Sequence, residues 1–376
     1  WGPLIHITSY PTRSKAQPIM IEGRASLTAA TVALVVALES YVSHDSAIAG
    51  DEHLSETGRS TIHTSSRLQR DILLCMSRQR MFLPLWTLLQ AVLCHAIPAN
   101  WFRRFWQWAM GKTMQGPKLR KLYMEQQVRT FLQKQHAKAQ VLILAAGYDT
   151  MAYRLAHEYP DVNFVEVDHP STGATKIEMF QRYFAHKRRA IGDELHFPGN
   201  LYFCHIKLGG DAPTTLKGAL TEGYMIHHLP SPSRTASQMV QSSSNQVFHA
   251  NTPTMVVMEG LSFYLSEEEN RSIFEQIDSV VGCPGTVMAF DYFHLDEYKR
   301  PQTKDTKKTL TALGSTFLKY KVKLFGEPFV WGTDPKELPG FFRGTNWRLM
   351  KNAETVQEAG LLSSTTFDCG PQSTSL

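Results

Sequence analysis

From residue 140 onward, five short apolar runs alternate with helically spaced segments: "AQVLILAA", "VNFVEVD", "LYFCHIKL", "TMVVMEG" and "GTVMAFDYF". Runs this apolar leave little polar surface for water, so each reads as a strand covered on both faces. Strands of that kind, joined through helices, form a parallel sheet, because parallel neighbours need a crossover connection. The pattern predicts an α/β fold with a doubly wound, Rossmann-like sheet. At 376 residues the chain is long enough for that sheet and an appended helical layer.

Residues 26 to about 135 read as helical. Ser26 or Thr28 can cap the apolar segment "LTAATVALVVAL", and "KLRKLYMEQQVRTFLQKQ" repeats apolar residues at three- and four-residue spacing. The division that follows is an all-helical cap or substrate lid over residues 1–135 and a sheet domain over 136–376. A stretch rich in Ser, Thr, Asn and Pro, residues 227–253, reads as a mobile loop or insertion within the sheet domain. Toward the C-terminus, "EPFVWGTDPKELPGFFRGTNWRLMKN" suggests a strand or turn, a short helix from about Pro335, and a strand at "NWRLM". There is no internal repeat.

Two apolar stretches bear on membranes. "LTAATVALVVAL" is too short to span and reads as a buried helix. Residues 81–110 are longer, but Pro84, Gln90, His95 and Pro98 interrupt them, so a spanning helix is not expected. A pair of core helices is the favoured reading, ahead of a greasy substrate lid and of a bilayer-surface segment.

The formal net charge is +5, yet Lys and Arg are scattered among acids along the chain, so nucleic acid is not expected as a partner. Five cysteines, Cys75, Cys94, Cys204, Cys283 and Cys369, form no CxxC pair. No metal is implied, and a reduced, cytoplasmic protein is the simplest reading. The sequence begins at Trp1 rather than Met, which leaves a preceding segment open.

In an open α/β sheet, ligands bind where loops converge at the carboxyl ends of the strands. This places the small-residue turn after the first run, with Ala145 and Gly147, at a binding crevice. Gly147 lets backbone approach a ligand or take positive φ. About twenty residues on, Asp168 ends the second run, where a carboxylate can accept hydrogen bonds from both ribose hydroxyls of a nucleoside. Glu166 shares its strand face and competes for that role; its alternative is to partner a nearby arginine.

"LRKLYMEQQV", "LILAAGYDTMAYRL", "FVEVDHP" and "VVMEGLSFYLSEEE", in this order and spacing, resemble the leucine carboxyl methyltransferase family. The likeness covers about residues 115–295 and, more loosely, "GEPFVWGTDPKELPGFF". It implies a methyltransferase sheet and S-adenosyl-L-methionine as cofactor. By that resemblance Arg120 matches the arginine that holds the methionine carboxylate, Gly147 the turn glycine, Asp168 the ribose acid and Glu259 the acid facing the cofactor. Structural alternatives are a surface position for Arg120 and a helix-capping one for Glu259.

The sequence departs from the family at three places. Ala145 stands where the family usually has glycine, and Met151 where it has arginine. Lys207, followed by Leu208, stands where an Asp-Leu pair contributes to the adenine pocket. Lysine carries no acceptor, so cofactor affinity falls unless the pocket is rearranged; a shifted alignment would put Asp211 there instead.

The resemblance implies methyl transfer to a carboxylate or hydroxyl of a small apolar acceptor, as in secondary-metabolite biosynthesis. An ionised carboxylate needs no general base, whereas an alcohol or phenol does. Candidate helpers are His169, Tyr264, Asp291 and Tyr292, with His227 and His228 less favoured. The alternatives are an enzyme of this fold that no longer methylates and catalyses isomerisation, cyclisation or lyase chemistry, and a non-catalytic binding partner.

Overall fold

The computed structural model describes residues 26–38, 56–76, 115–135, 139–191, 197–208, 215–221, 224–226, 241–243, 247–292, 329–334, 336–353 and 363–369. Residues 81–110, Asp211, His227 and His228 lie outside the described residues.

Nine strands form one sheet: β1 (Gln140–Leu144), β2 (Asn163–Asp168), β3 (Leu201–His205), β4 (Tyr224–Ile226), β5 (Gln241–Ser243), β6 (Thr254–Met258), β7 (Thr286–Tyr292), β8 (Arg348–Ala353) and β9 (Ser363–Cys369). Their spatial order is β5-β4-β3-β2-β1-β6-β7-β9-β8. The five strands read from the sequence are β1, β2, β3, β6 and β7, and they are mutually parallel. From β1 the chain moves outward through β2 and β3, then returns to β6 on the other side of β1. Loops leaving β1 and β6 therefore diverge, and a crevice opens at the carboxyl edge between them.

Each parallel strand is buried on both faces and its residues alternate between two cores. Val141, Ile143, Phe164, Phe203, Met255, Val257 and Ala289 face one core. Leu142, Leu144, Val165, Val167, Val256, Met258, Met288 and Phe290 face the other. Helices α1 (Leu27–Leu38), α2 (Glu56–Leu73), α3 (Gln115–Gln135), α4 (Met151–Glu158) and α5 (Pro170–Ile191) cover the first face. Ser26 caps α1, its hydroxyl accepting from the Ala29 amide at 3.0 Å. Ala30, Leu34, Ile72, Met124 and Val128 from the N-terminal helices join the same core as Val141 and Ile143.

Helices α6 (Leu216–Thr221), α7 (Glu267–Asp278) and α8 (Leu338–Phe341) cover the second face. Here Phe274 is fully buried, with Phe290, Phe342 and Phe341 at ring distances of 5.2, 5.0 and 5.7 Å. Ser266 and Glu269 form a capping box at the start of α7, so Glu259 does not cap that helix.

Two elements differ from the sequence reading. The polar stretch 227–253 contains β5, which pairs antiparallel with β4 at the sheet edge, and it ends in Val247 and Phe248, both buried in the second core. Strand β9, in the polar "SSTTFDC", pairs with both β7 and β8 in antiparallel sense. Among the described residues no helix is long and apolar enough to cross a membrane.

Candidate functional site

The strand alternation that builds the cores also gathers the acids. Glu166 and Asp168 share the parity of Phe164, Glu259 that of Val257, and Asp291 that of Ala289. All four project toward the face covered by α3, α4 and α5, at the carboxyl ends of β2, β6 and β7. Cations reach them from the covering helices: Arg120 and Lys121 on α3, and Lys176 on α5.

Arg120 lies at the centre of this cluster and is buried. Its Nε donates to Glu259 Oε1 at 2.8 Å and its Nη1 to Asp291 Oδ2 at 3.0 Å. Lys121 Nζ stands 3.0 Å from Asp149 Oδ2 and 3.2 Å from the same Glu259 Oε1. Asp291 Oδ1 accepts the Gly260 amide at 2.7 Å, and the Asp291 carbonyl accepts the Ser262 hydroxyl. Gly260 has φ of +72°, a conformation that favours glycine. Arg120 Nη2 and Glu259 Oε2 have no hydrogen-bond partner among the described residues. A donor and an acceptor thus stand side by side in the crevice.

Electrostatics follow from burial against pairing. Burial opposes the charge on Arg120, but Glu259 and Asp291 outweigh it and raise its pKa above the ordinary value. Burial likewise opposes the charge on Lys121, with Asp149 and Glu259 again prevailing. At Asp291 burial wins, and its carboxyl sits above the usual range with Arg120 opposing. Glu166 is pushed up to about 7 by burial, with Lys176 opposing. Lys176 Nζ lies 2.6 Å from Glu166 Oε2, and both side chains are 3% exposed. Glu166 is thus committed to Lys176 rather than to an arginine, which leaves Asp168 as the acid at the rim.

Asp168 Oδ2 accepts the Gly147 amide at 2.5 Å, and its Oδ1 accepts the His169 amide at 2.6 Å. The carboxylate is therefore held against the first turn. Gly147 has φ of +52°, and a Cβ there would come within 3.3 Å of Ala29 on α1. Asp149 caps α4 by accepting the Thr150 and Met151 amides at 2.6 and 3.1 Å. Gln69 of α2 donates to the Tyr148 carbonyl at 2.8 Å, so the N-terminal helices clamp the turn.

Ala145 takes φ of +53°, which costs an L-residue about 1–2 kcal/mol. Ala145→Gly relieves that strain, partly offset by the greater chain entropy of glycine. The expected outcome is a gain of about 0.5–1 kcal/mol, read as a rise in Tm of a few degrees; an unchanged or lower Tm would show that the turn bears no strain.

The remaining candidates are placed as follows. His169 is half-buried, and its Nδ1 accepts the Ser171 amide at 3.2 Å, which caps the start of α5. Tyr264 is half-buried, its ring 4.7 Å from Phe263 and 5.4 Å from Phe329, close enough to act on the charge of Arg120. Tyr292 does not join the cluster. Its parity is that of Phe290, and it is buried in the second core with Trp331 at 6.5 Å. Of the expected helpers, Asp291 and Tyr292 thus lie against opposite faces of the sheet. Lys207 is exposed beyond β3, near enough to His169 to lower the imidazole pKa alongside burial. Leu208 packs against the second core. Lys121, Asp149 and Lys176 were not singled out by the sequence reading. For Lys121 the signal was its adjacency to Arg120; for Lys176 it was a cation one helical face away from a strand-borne Glu.

Burial lowers the pKa values of His157, His169 and His205 below the ordinary 6.5. His205 Nε2 is buried with no partner among the described residues, its ring so close to α5 that a Cβ on Gly173 would fall 2.4 Å from it. A depressed folded-state pKa contributes stability that is full above 6.5 and is lost as pH falls through the folded value. These histidines are therefore expected to lower Tm between about pH 7 and 5.5, against Glu166, whose raised pKa favours the folded state as pH falls, and His205→Leu is expected to change the slope toward smaller loss at low pH. An unchanged slope in the variant would place the titration elsewhere.

The strand order, with a charged cluster at its switch point, defines a doubly wound α/β protein. The leucine carboxyl methyltransferase family model matches residues 100–278, the part of the chain that carries β1, β2, β3 and β6. A curated protein of Bacillus subtilis (strain 168), named "Putative S-adenosyl-L-methionine-dependent methyltransferase YktD", is 27% identical over 153 residues, 41% of this chain and 38% of that protein. The match thus spans well under half of the curated relative. Among solved structures, a DUF574 family protein from Streptomyces avermitilis MA-4680 aligns with a TM-score of 0.45 and 10% identity, covering 73% of this chain and 91% of that one.

Proposed function

We propose that the chain is an S-adenosylmethionine-dependent O-methyltransferase acting on a carboxylate or hydroxyl of a small apolar acceptor. The observation that carries the reading is the adjacency of an open donor on buried Arg120 and an open acceptor on Glu259. That pair matches the carboxylate and ammonium of an amino acid, while Asp168, held on the Gly147 turn, matches a ribose. Charge agrees. Arg120, Lys121 and Lys176 face Asp149, Glu166, Asp168, Glu259 and Asp291, so carboxylates outnumber cations around a cofactor whose sulfonium leaves it with net positive charge.

The cofactor supplies an electrophilic methyl group on a sulfonium. The contribution of the protein is to bind and orient. Arg120 and Glu259 fix the amino-acid end, Asp168 fixes the sugar, and the α1 residues over Gly147 limit access of water from that side. Holding an acceptor oxygen in line is a proximity effect that can supply several kcal/mol, on the order of 7–11 at best. A carboxylate acceptor asks nothing further; for a phenol or alcohol, Tyr264, a half-buried helper close enough to act on the charge of Arg120, is the candidate. The N-terminal helices, by clamping the 145–150 turn, would act as the roof of the acceptor chamber.

Titration calorimetry of the full chain with S-adenosylmethionine and S-adenosylhomocysteine tests the reading. Micromolar binding of both, together with a product that gains one methyl from labelled cofactor, is the expected result. No binding at millimolar concentration would overturn it and favour an enzyme of this fold with isomerase, cyclase or lyase chemistry.

A further inference from the structure

We infer that Asp291 is the positioning residue that aims Arg120 at the amino-acid end of the cofactor; the inference rests on the S-adenosylmethionine reading above. Asp291 is fully buried, which excludes contact with an acceptor and corrects its expected role as a proton-transfer helper. Its three oxygens are instead spent on three different parts of the site: Oδ2 on Arg120 Nη1, Oδ1 on the Gly260 amide, and the carbonyl on the Ser262 hydroxyl.

The consequence is geometric. Arginine is long and loses considerable rotamer freedom when held in one place. Glu259 alone would hold the guanidinium by its Nε and leave it able to swing about that bond. Asp291 supplies a second point, from a different strand, and so fixes the plane. The same carboxylate tethers Gly260, hence the Glu259 backbone, to β7. Cation and acid are thereby set at one separation, with Arg120 Nη2 against Gly260, where a Cβ would sit 3.4 Å away. Because Asp291 is rooted in β7, which is hydrogen-bonded to β6 on one side and β9 on the other, the spacing is set by the fold rather than by the ligand.

Asp291→Asn keeps the shape and an acceptor for Gly260 but turns an amide toward Arg120. Affinities for S-adenosylhomocysteine and for 5′-methylthioadenosine, which lacks the carboxylate and ammonium, separate a positioning role from a merely structural one. The expected result is a loss of about tenfold or more for S-adenosylhomocysteine, the scale of a charge-assisted hydrogen bond, with 5′-methylthioadenosine changed less than about threefold. Equal losses for both ligands, or no loss for either, would overturn the inference. Asp291→Glu serves if the Asn variant does not fold: it keeps the charge, displaces Arg120 by one methylene, and should show the same selective loss. Failure of the wild-type protein to bind S-adenosylhomocysteine would instead sink the cofactor reading itself, so the two failures are distinguishable.

Discussion

Arg120→Met is expected to weaken S-adenosylhomocysteine binding by about a hundredfold or more and to lower the unfolding free energy by about 3–5 kcal/mol. Both effects come from one group. Arg120 is the cation that stands between Glu259 and Asp291, so its removal leaves two buried carboxylates facing each other, and breaking such a network is far costlier than losing a surface ion pair. Lys121 touches Glu259 from the side and recovers part of the loss there, but its ion pairs, with Asp149 and Glu259, do not extend to Asp291. Calorimetry and denaturant unfolding, run on the same samples, separate the two effects. A folded variant that keeps its affinity within about threefold would remove Arg120 from the binding site.

Asp168→Ala is expected to cost about 3 kcal/mol of cofactor affinity, roughly two powers of ten. The substitution deletes the proposed acceptor for the ribose and also the partner of the Gly147 and His169 amides. Its specific signature is loss of discrimination: the wild-type protein should prefer S-adenosylhomocysteine to its 2′-deoxy analogue by about tenfold, and the variant should not. If the variant loses affinity yet keeps that preference, Asp168 shapes the turn without touching the sugar.

The parallel core was legible because burial on both faces leaves a signature in every strand. After their first residues, "QVLIL" and "TMVVM" have no polar position that a solvated face would require. Strand β9 was not legible. "SSTTFDC" is polar, and it becomes a strand by completing a hydrogen-bonded ladder between β7 and β8, a condition that no local pattern announces. The same holds for β5, whose three residues are ordered by pairing with β4.

Within the site, Gly147 and Asp168 were singled out from their positions at the ends of apolar runs, and Arg120 and Glu259 through the family resemblance. Tyr292, a candidate from its strand-end position, packs in the second core, because a strand sends neighbours to opposite faces and Asp291 takes the other one. Lys176 illustrates a different limit. Whether a helix residue ten positions after Glu166 turns toward it depends on how α5 lies on the sheet, and that angle is settled by the packing of Phe180, Phe184 and Tyr153.

By itself the amino-acid sequence determined the layer architecture, the five parallel strands and the residues at their carboxyl ends, since periodicity and burial are local properties of a short segment. Tertiary structure alone decided which charges neutralise which. An ion pair such as Arg120 with Asp291 joins residues 171 positions apart, and its strength depends on distance and desolvation, neither of which exists until the helices have closed over the sheet.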